Sequence, residues 1–338
     1  MEGGDRLQEK RALPDKIRYV QWQGLRIKQI WADYPRLKRD FRHILDEIKP
    51  DLVHAGPVQR VALLAALNNF HPLVTMSWGY DMLQDANHNL FWQMATRYVL
   101  RKSDWLIADC HTVKRKAAGW GYNPENVTIF PWGVDLQLFS PQSRAQARKK
   151  IGFTDQFLVI HTRSWEARYG VDVALCGFLE AMRSHPKMHM LMLGGGSQSG
   201  EVHDFVDKNG LQDHVHFIGY QSNEKLAQFY QAGDVYLSAS HVDGSSVALL
   251  EAMACGCVPI VSDIPSNLEW VHDGQTGWSF QDGSADHLAR VLVEAVNTVL
   301  DPMRMAVRRK TEADADWEKG KQKLLGAYQQ VMAKVMNE

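Results

Sequence analysis

Short apolar runs alternate with longer amphipathic stretches along the chain, which predicts β-strands alternating with α-helices. In the first 135 residues, strands are predicted over KIRYVQW, PDLVHAG, PLVTMSWGYD, DWLIADC and NVTIFPWGVD. Helices are predicted over YPRLKRDFRHILDEIK, the segment from PDLVHAG to Asn69, and HNLFWQMATRYVLRKS. This alternation is typical of an α/β protein with parallel sheets.

The second half repeats the pattern, with predicted strands FLVIHTRS, MHMLMLGGG, VHFIGY, DVYLSAS and VPIVSD. Helices are predicted over GVDVALCGFLEAMRSH, NEKLAQFYQAG and VALLEAMACG, and over the charged tail from Met303 to Glu338. The turn-rich stretch from Pro131 to Ala147 predicts a linker. We therefore expect domains over residues 1–135 and 136–310, followed by a helix over 311–338.

Composition narrows the class of protein. The 338 residues are 45% hydrophobic and 23% charged with a net charge of −1, which argues against a nucleic-acid binder. Residues 1–135 are mildly basic, with 19 Lys/Arg against 15 Asp/Glu. Four cysteines are too few for a disulfide framework, and no apolar run or leader segment indicates a membrane span or secretion. We expect a cytoplasmic protein.

The candidate chemistry is concentrated between Ser240 and Val271. Asp243 lies on a Gly-Ser-Ser turn, and the helix that follows carries a second acid, Glu251. The N-terminus of a helix suits a diphosphate because its first N–H groups are unpaired and its dipole is positive there. An acid on each side could bind the hydroxyls of a sugar and of a ribose. This pattern favours a protein that handles a nucleotide sugar.

Three further strand ends are expected at the same edge of the second sheet. HTRSWEARYG offers two cations for a diphosphate, Arg163 and Arg168. LGGGS, which contains Gly195, lets the backbone approach a ligand closely. FIGY offers main-chain groups and a ring to a base through Ile218 and Tyr220.

The order and spacing of these blocks resemble the retaining GT-B glycosyltransferases of family 4. The resemblance rests on PDLVHAG, FPWGVDLQLFSP, TRSWEARYGVDVAL, MLGGGS, VHFIGYQS, DVYLSASHVDGSSVALLEAMACGCVPIVSD and GQTGW. It implies two Rossmann-like domains with parallel sheets facing a cleft, the first for the acceptor and the second for the nucleotide sugar. It also implies a C-terminal helix that crosses back, and transfer of a sugar from a UDP- or GDP-sugar to a hydroxyl acceptor.

The resemblance also implies roles for single residues. Glu251 matches the acid that holds the donor ribose, and Asp243 matches the acid near the sugar, where the family usually has Glu. Arg163 matches the phosphate-binding arginine. The family's following lysine has no clean counterpart; Arg168 or Tyr169 takes its place, and charge favours Arg168. The N–H groups expected at the diphosphate belong to Gly244, Ser245, Ser246 and Val247.

Asp243, Arg163 and Asp81 are the expected catalytic residues. Many family members carry a histidine where this chain has Trp78, which leaves Asp81 as the nearest polar group for orienting hydroxyls. The alternative for Asp81 is capping of the next helix. No Asp-x-Asp metal motif is present, so we expect a metal-independent reaction in which the nucleotide sugar is a co-substrate and no cofactor takes part.

One departure concerns the beginning of the chain. The family normally has a strand, a glycine-rich turn and a helix before anything like KIRYVQW, a portion on the order of 50 residues. We expect this portion to be missing, as in a natural short form, a fragment or a reconstructed sequence. The first sheet would then lack a central strand, which leaves open an alternative function as a non-catalytic, nucleotide-binding partner subunit.

The expected acceptor is a sugar, a lipid-linked molecule or a small molecule. The basic segments PRLKRDFRHILDEIK and VKRK also suit peripheral contact with the inner face of a membrane; the alternative is that they are solvated faces.

Overall fold

The computed structural model describes residues 33–336, which fall into two compact units divided between Lys49 and Pro50. The described part of the first unit is helix α1, Tyr34–Ile48, which matches the amphipathic stretch predicted from the sequence. It ends where Lys49 adopts a left-handed conformation and donates its N–H to the Leu45 carbonyl. The strand predicted over KIRYVQW and the turn at Gly3, Gly4 and Asp5 lie outside the described residues.

The second unit begins with a four-stranded parallel sheet in the order β1-β2-β3-β4. Its central strands are buried on both faces, as their continuous apolar runs predict. The strands are β1 Val53–Ala55, β2 Leu73–Met76, β3 Trp105–Ala108 and β4 Val127–Ile129. The helices are α2 Leu63–Leu67, preceded by a π-helical turn over Val58–Ala62, α3 Tyr80–Leu83, α4 Leu90–Lys102 and α5 His111–Gly119.

A six-stranded parallel sheet follows, in the order β10-β9-β8-β5-β6-β7. Its strands are β5 Phe157–His161, β6 Met188–Met192, β7 Val215–Phe217, β8 Val235–Ser238, β9 Val258–Ser262 and β10 Trp278–Phe280. The strand order reverses between β5 and β8, and a crevice opens at such a switch point in open α/β sheets. Apolar side chains form a core on each side of this sheet.

The second half contains eight helices among the described residues. They are α6 Arg144–Ile151, α7 Val171–Ser184, α8 Ser199–Lys208, α9 Asn223–Ala232, α10 Val247–Ala254, α11 Ala285–Val296, α12 Asp301–Asp314 and α13 Trp317–Met336. Helix α6 begins inside the predicted linker, because the Ser143 hydroxyl accepts the Gln146 N–H and starts the helix there.

Helix α13 returns to the first sheet. Ala327 and Val331 pack with Val74, Met76 and Ile107 in one buried cluster. The chain passes between the two sheets near Val134 and again near residues 315–317. These two segments lie side by side, because Val134 pairs with residues 315–317 through two backbone hydrogen bonds. The structure therefore has two parallel sheets and a C-terminal helix that crosses back, as expected. The expected domain limits at 135/136 and 310/311 remain predictions.

Candidate functional site

Helix α10 follows the carboxyl end of β8 after a loop over residues 239–246. This loop carries Asp243 and is called the acidic loop below. Ser246 is the N-cap of α10, and the Ser246 hydroxyl accepts the Leu249 N–H at 3.4 Å. Val247 is the first helical residue and is partly exposed. The apolar side chains of the helix are buried in the core, so the N-terminal N–H groups are held in a fixed direction.

Glu251 follows one turn later on the same helix and is partly buried. Burial raises the pKa of the Glu251 carboxyl to about 7. Burial raises the pKa of the fully buried Tyr230 hydroxyl, and the negative charge of Glu251 raises it further. A carboxyl in this setting gains from a ligand that donates hydrogen bonds to it, as vicinal hydroxyls do.

Arg163 connects the end of β5 to the acidic loop. Its Nη2 lies 2.7 Å from Asp243 Oδ2, and its Nη1 donates to the Ser246 hydroxyl at 2.9 Å. The guanidinium also stacks on the Tyr169 ring at 4.0 Å. Burial nevertheless outweighs the ion pair at Asp243 and raises the pKa of that carboxyl. The arrangement places a fixed cation at the N-terminus of α10.

The structure gives both candidates for the family's lysine a position. Arg168 stacks on the Tyr80 ring at 4.8 Å, and its backbone carbonyl accepts the His241 N–H. Tyr169 instead supports Arg163. The guanidinium of Arg168 thus faces a residue of the first half of the chain.

The remaining predicted residues meet at the ends of β6 and β7. The Gly195 carbonyl accepts the Trp165 N–H at 3.2 Å and the Tyr220 hydroxyl at 3.4 Å. Ile218 N–H donates to Met192, and the Tyr220 ring is 69% exposed. Tyr220 is therefore free to stack on a planar ligand group such as a base.

Asp81 occupies a different environment from these residues. It is fully buried, and its carboxylate accepts hydrogen bonds from the Val58, Trp78 and Met82 N–H groups and from the Ser77 hydroxyl. These contacts give Asp81 a structural role inside α3, but it does not cap the next helix, because Asn89 is the N-cap of α4. A direct part of Asp81 in catalysis remains a prediction. Trp78, by contrast, is 44% exposed.

Asp109 is a residue that the sequence reasoning missed. Its Oδ2 accepts the Ser245 N–H at 3.0 Å and its backbone carbonyl accepts the Ser245 hydroxyl at 2.6 Å. Burial, followed by repulsion from Asp81, raises the pKa of the Asp109 carboxyl to about 7. The signal that could have found it is its place directly after β3, at the carboxyl end of a parallel strand.

Residues 33–336 contain no group of three or more His, Cys, Asp or Glu side chains arranged to hold a metal ion. No helix in that range is both long and apolar enough to cross a membrane.

Comparisons with known proteins cover most of the chain. The family described as glycosyl transferases group 1 matches residues 143–313, and the family described as glycosyltransferase family 4 matches residues 2–138. A D-inositol 3-phosphate glycosyltransferase of Acidothermus cellulolyticus is 27% identical over 250 residues, covering 70% of this chain and 55% of that protein. The chain spans about half the length of the first curated relatives it matches.

Another relative is a GDP-mannose-dependent monoacylated alpha-(1-6)-phosphatidylinositol monomannoside mannosyltransferase of Corynebacterium glutamicum. It is 25% identical, with 68% of this chain and 65% of that protein aligned.

Solved structures share the fold. Sucrose-phosphate synthase from Thermosynechococcus elongatus superimposes with a TM-score of 0.79 at 20% identity, covering 95% of this chain and 86% of that one. Anabaena HepE in complex with UDP gives 0.75 at 18% identity, covering 87% and 82%. With two parallel sheets and a returning C-terminal helix, the chain belongs to the group 1 glycosyl transferases and has the GT-B fold.

Proposed function

We propose that this chain transfers a sugar from a nucleoside diphosphate sugar to a hydroxyl acceptor with retention of the anomeric configuration and without a metal ion. The observation that carries the proposal is Arg163, held by Asp243 and Ser246 at the N-terminus of α10. A buried cation and helix N–H groups together stabilise the negative charge that a departing diphosphate develops.

Each step then has a group to perform it. The bond from the anomeric carbon to the diphosphate breaks while the acceptor oxygen bonds to that carbon on the same face. The acceptor proton passes to the leaving phosphate oxygen. Arg163 and the Gly244–Val247 segment bind the diphosphate, Glu251 binds the ribose, and Asp243 lies on the sugar side. Arg168 adds a second cation, and the rim of Gly195, Ile218 and Tyr220 receives the base.

The donor is proposed as a UDP- or GDP-sugar, since HepE was solved with UDP and the mannosyltransferase relative uses GDP-mannose. The acceptor is proposed as a polyol or sugar hydroxyl, free or lipid-linked, because the relatives' names include an inositol phosphate and a phosphatidylinositol mannoside.

The test is a panel of UDP- and GDP-sugars offered with polyol and glycolipid acceptors, with product detected by mass spectrometry. We expect one donor to be turned over in the presence of EDTA. Arg163→Ala should lower kcat at least about 100-fold, the cost of removing a group that stabilises transition-state charge. Arg183→Ala, on the exposed face of α7, is the matched control and should leave the rate unchanged. If the chain binds nucleotide but neither transfers nor hydrolyses any donor, the proposed transferase activity is wrong. That result would support the alternative of a non-catalytic partner subunit.

Peripheral membrane contact through α1 and the Val113–Lys116 segment is a separate proposal. Sedimentation with anionic liposomes tests it, and recovery of all the protein in the supernatant at low salt would contradict it.

A further inference from the structure

The second unit has a first half, built on the four-stranded sheet, and a second half, built on the six-stranded sheet. Two carboxylates make hydrogen bonds from one half to the other. The first is Asp109, which follows β3. It holds Ser245 twice, through the carboxylate on the N–H and through the backbone carbonyl on the hydroxyl. Ser245 lies in the loop that leads into α10, so a residue of the first half binds this loop directly.

The second carboxylate runs in the opposite direction. Glu269, which follows β9, accepts the His111 N–H at 2.8 Å and both the N–H and the hydroxyl of Thr112 at 2.6 Å. These are the first residues of α5, whose own N-cap, Cys110, makes no side-chain capping bond. The cap that α5 lacks locally is therefore supplied from the other half of the chain.

Next to these hydrogen bonds the two halves are in close backbone contact. A Cβ on Gly244 would lie 1.6 Å from Asp109 Oδ2, and a Cβ on Gly79 would lie 2.5 Å from the Gly244 backbone. Trp270, the neighbour of Glu269, also donates its ring N–H to the Ser245 hydroxyl at 3.2 Å. A shift of one half against the other would thus move the Gly244–Ser246 loop.

Behind these contacts the two halves are not closely packed. A cavity of about 310 Å³ lies there, lined by Asp109, Cys110 and Glu269 together with Trp270 and Lys310. Beside this cavity, the hydrogen bonds of Asp109 and Glu269 join the two halves, and Arg115 of α5 adds an ion pair to Glu269 at 3.5 Å.

We infer that Asp109 and Glu269 form a reciprocal clasp that holds the two halves closed and sets the position of the Gly244–Ser246 loop for the donor diphosphate. Both are positioning residues that act through the loop and through α5. The consequence for the donor rests on the proposed function, whereas the clasp itself can be tested without any ligand. Opening the clasp lowers the population of the binding-competent state and so raises the apparent Kd by the same factor.

The experiment combines hydrogen exchange with nucleotide binding for Glu269→Gln and Glu269→Ala in the full chain. Amide exchange over residues 109–116 and over residues 241–250 should rise roughly fivefold in Glu269→Ala, the ratio expected for a lost helix cap, and less in Glu269→Gln. The Kd for UDP or GDP should rise by a similar factor.

The matched control is Asp273→Asn. Asp273 accepts hydrogen bonds from the N–H and the hydroxyl of Ser279. It therefore makes the same kind of hydrogen bonds as Glu269, but only within the second half. We expect this variant to leave exchange at residues 241–250 and the Kd unchanged. If Glu269→Ala does not fold, the isosteric Glu269→Gln decides.

Increased exchange limited to residues 109–116 would overturn the inference, because the cap would then be local to α5. Unchanged exchange in both segments would overturn it as well. If the wild-type chain binds no nucleotide, the proposed function fails, and the exchange data still decide the clasp.

Discussion

Glu251, the proposed ribose-binding residue, lowers the stability of the ligand-free fold at neutral and alkaline pH. Its side chain is partly buried on α10, and burial raises the pKa of its carboxyl to about 7. The folded state therefore binds the proton more tightly than the unfolded state does. Stability is unaffected by this group below about pH 4.5 and falls as the pH rises through the window up to about pH 7.

Glu251→Gln should therefore stabilise the ligand-free protein at pH 8, by up to about 3 kcal/mol, and the gain should shrink toward zero near pH 4.5. The same change should weaken nucleotide binding, because an amide is a poorer acceptor for ribose hydroxyls than a carboxylate. Urea denaturation at several pH values and calorimetric titration with UDP and GDP measure the two effects. A gain that does not depend on pH would contradict the burial argument.

Gly244 provides a second test with single residues. Gly244→Ala should cost about 1–3 kcal/mol and weaken nucleotide binding, because the new methyl group would overlap Asp109 Oδ2. Gly200→Ala is the matched control, since it lies in α8 with nothing within 4 Å of the added Cβ. That change should stabilise by about 0.5–1 kcal/mol. Denaturation curves compare the two, and an equal effect would rule out the steric explanation.

At the level of elements, a buried carboxylate joins helices to the second sheet. Asp234 precedes β8 and is 3% exposed at its side chain, where it contacts Arg144 and Arg148 of α6 and Arg304 of α12. It also accepts the Leu158 N–H of β5. Three cations around one carboxylate bind α6 and α12 to the sheet, so the anion is needed to neutralise them.

Asp234→Ala should destabilise the protein by about 3–5 kcal/mol, because it removes the counter-charge of the buried Arg148 and of the partly buried Arg304. Asp155→Asn, which breaks the exposed pair with Lys187, is the control and should give no measurable change in the free energy of unfolding. Chemical denaturation of both variants tests this. A loss for Asp234→Ala no larger than for Asp155→Asn would show that the cluster contributes nothing.

At the level of the whole molecule, helix α13 packs apolar side chains against the first sheet. Val331 is 1% exposed and lies in a cluster with Val74 and Ile107, while the Tyr328 hydroxyl bonds His54 Nδ1 at 2.6 Å. Residues near the end of the chain thus cover a sheet formed some 200 residues earlier. The first sheet depends on the last helix for its apolar cover.

Val331→Asp should cost about 3 kcal/mol or more, since it places a carboxylate in an apolar cluster, and it should increase binding of a hydrophobic dye. Leu325→Asp, on the same helix but 45% exposed, should change stability by no more than about 0.5 kcal/mol. Urea denaturation and dye fluorescence are the measurements. Equal behaviour of the two variants would mean that α13 does not stabilise the first sheet.

Hydrophobic periodicity was enough to predict the described strands of both sheets, except β10, which the prediction did not mark as a strand, and to place Arg163, Gly195 and Ser246 at strand ends. Helices α3, α5, α6, α8 and α11 were not predicted, and α12 and α13 were predicted only as one continuous helical tail. Helix α6, for example, has the sequence RAQARKKI, whose polar residues give a weak apolar stripe. Its position is decided by the cap at Ser143 and by the bond of Arg148 to Asp234.

The sequence by itself determined the alternation of strands and helices, the acids at 243 and 251, and the basic residues that precede them, because each is a local pattern. Only the tertiary structure decided that Asp109 holds Ser245 and that Glu269 caps α5, since those partners are 136 to 158 positions apart along the chain. No local pattern encodes such a pairing. It arises because the GT-B arrangement places the end of β3 against the loop after β8, where unpaired N–H groups and buried carboxylates satisfy one another.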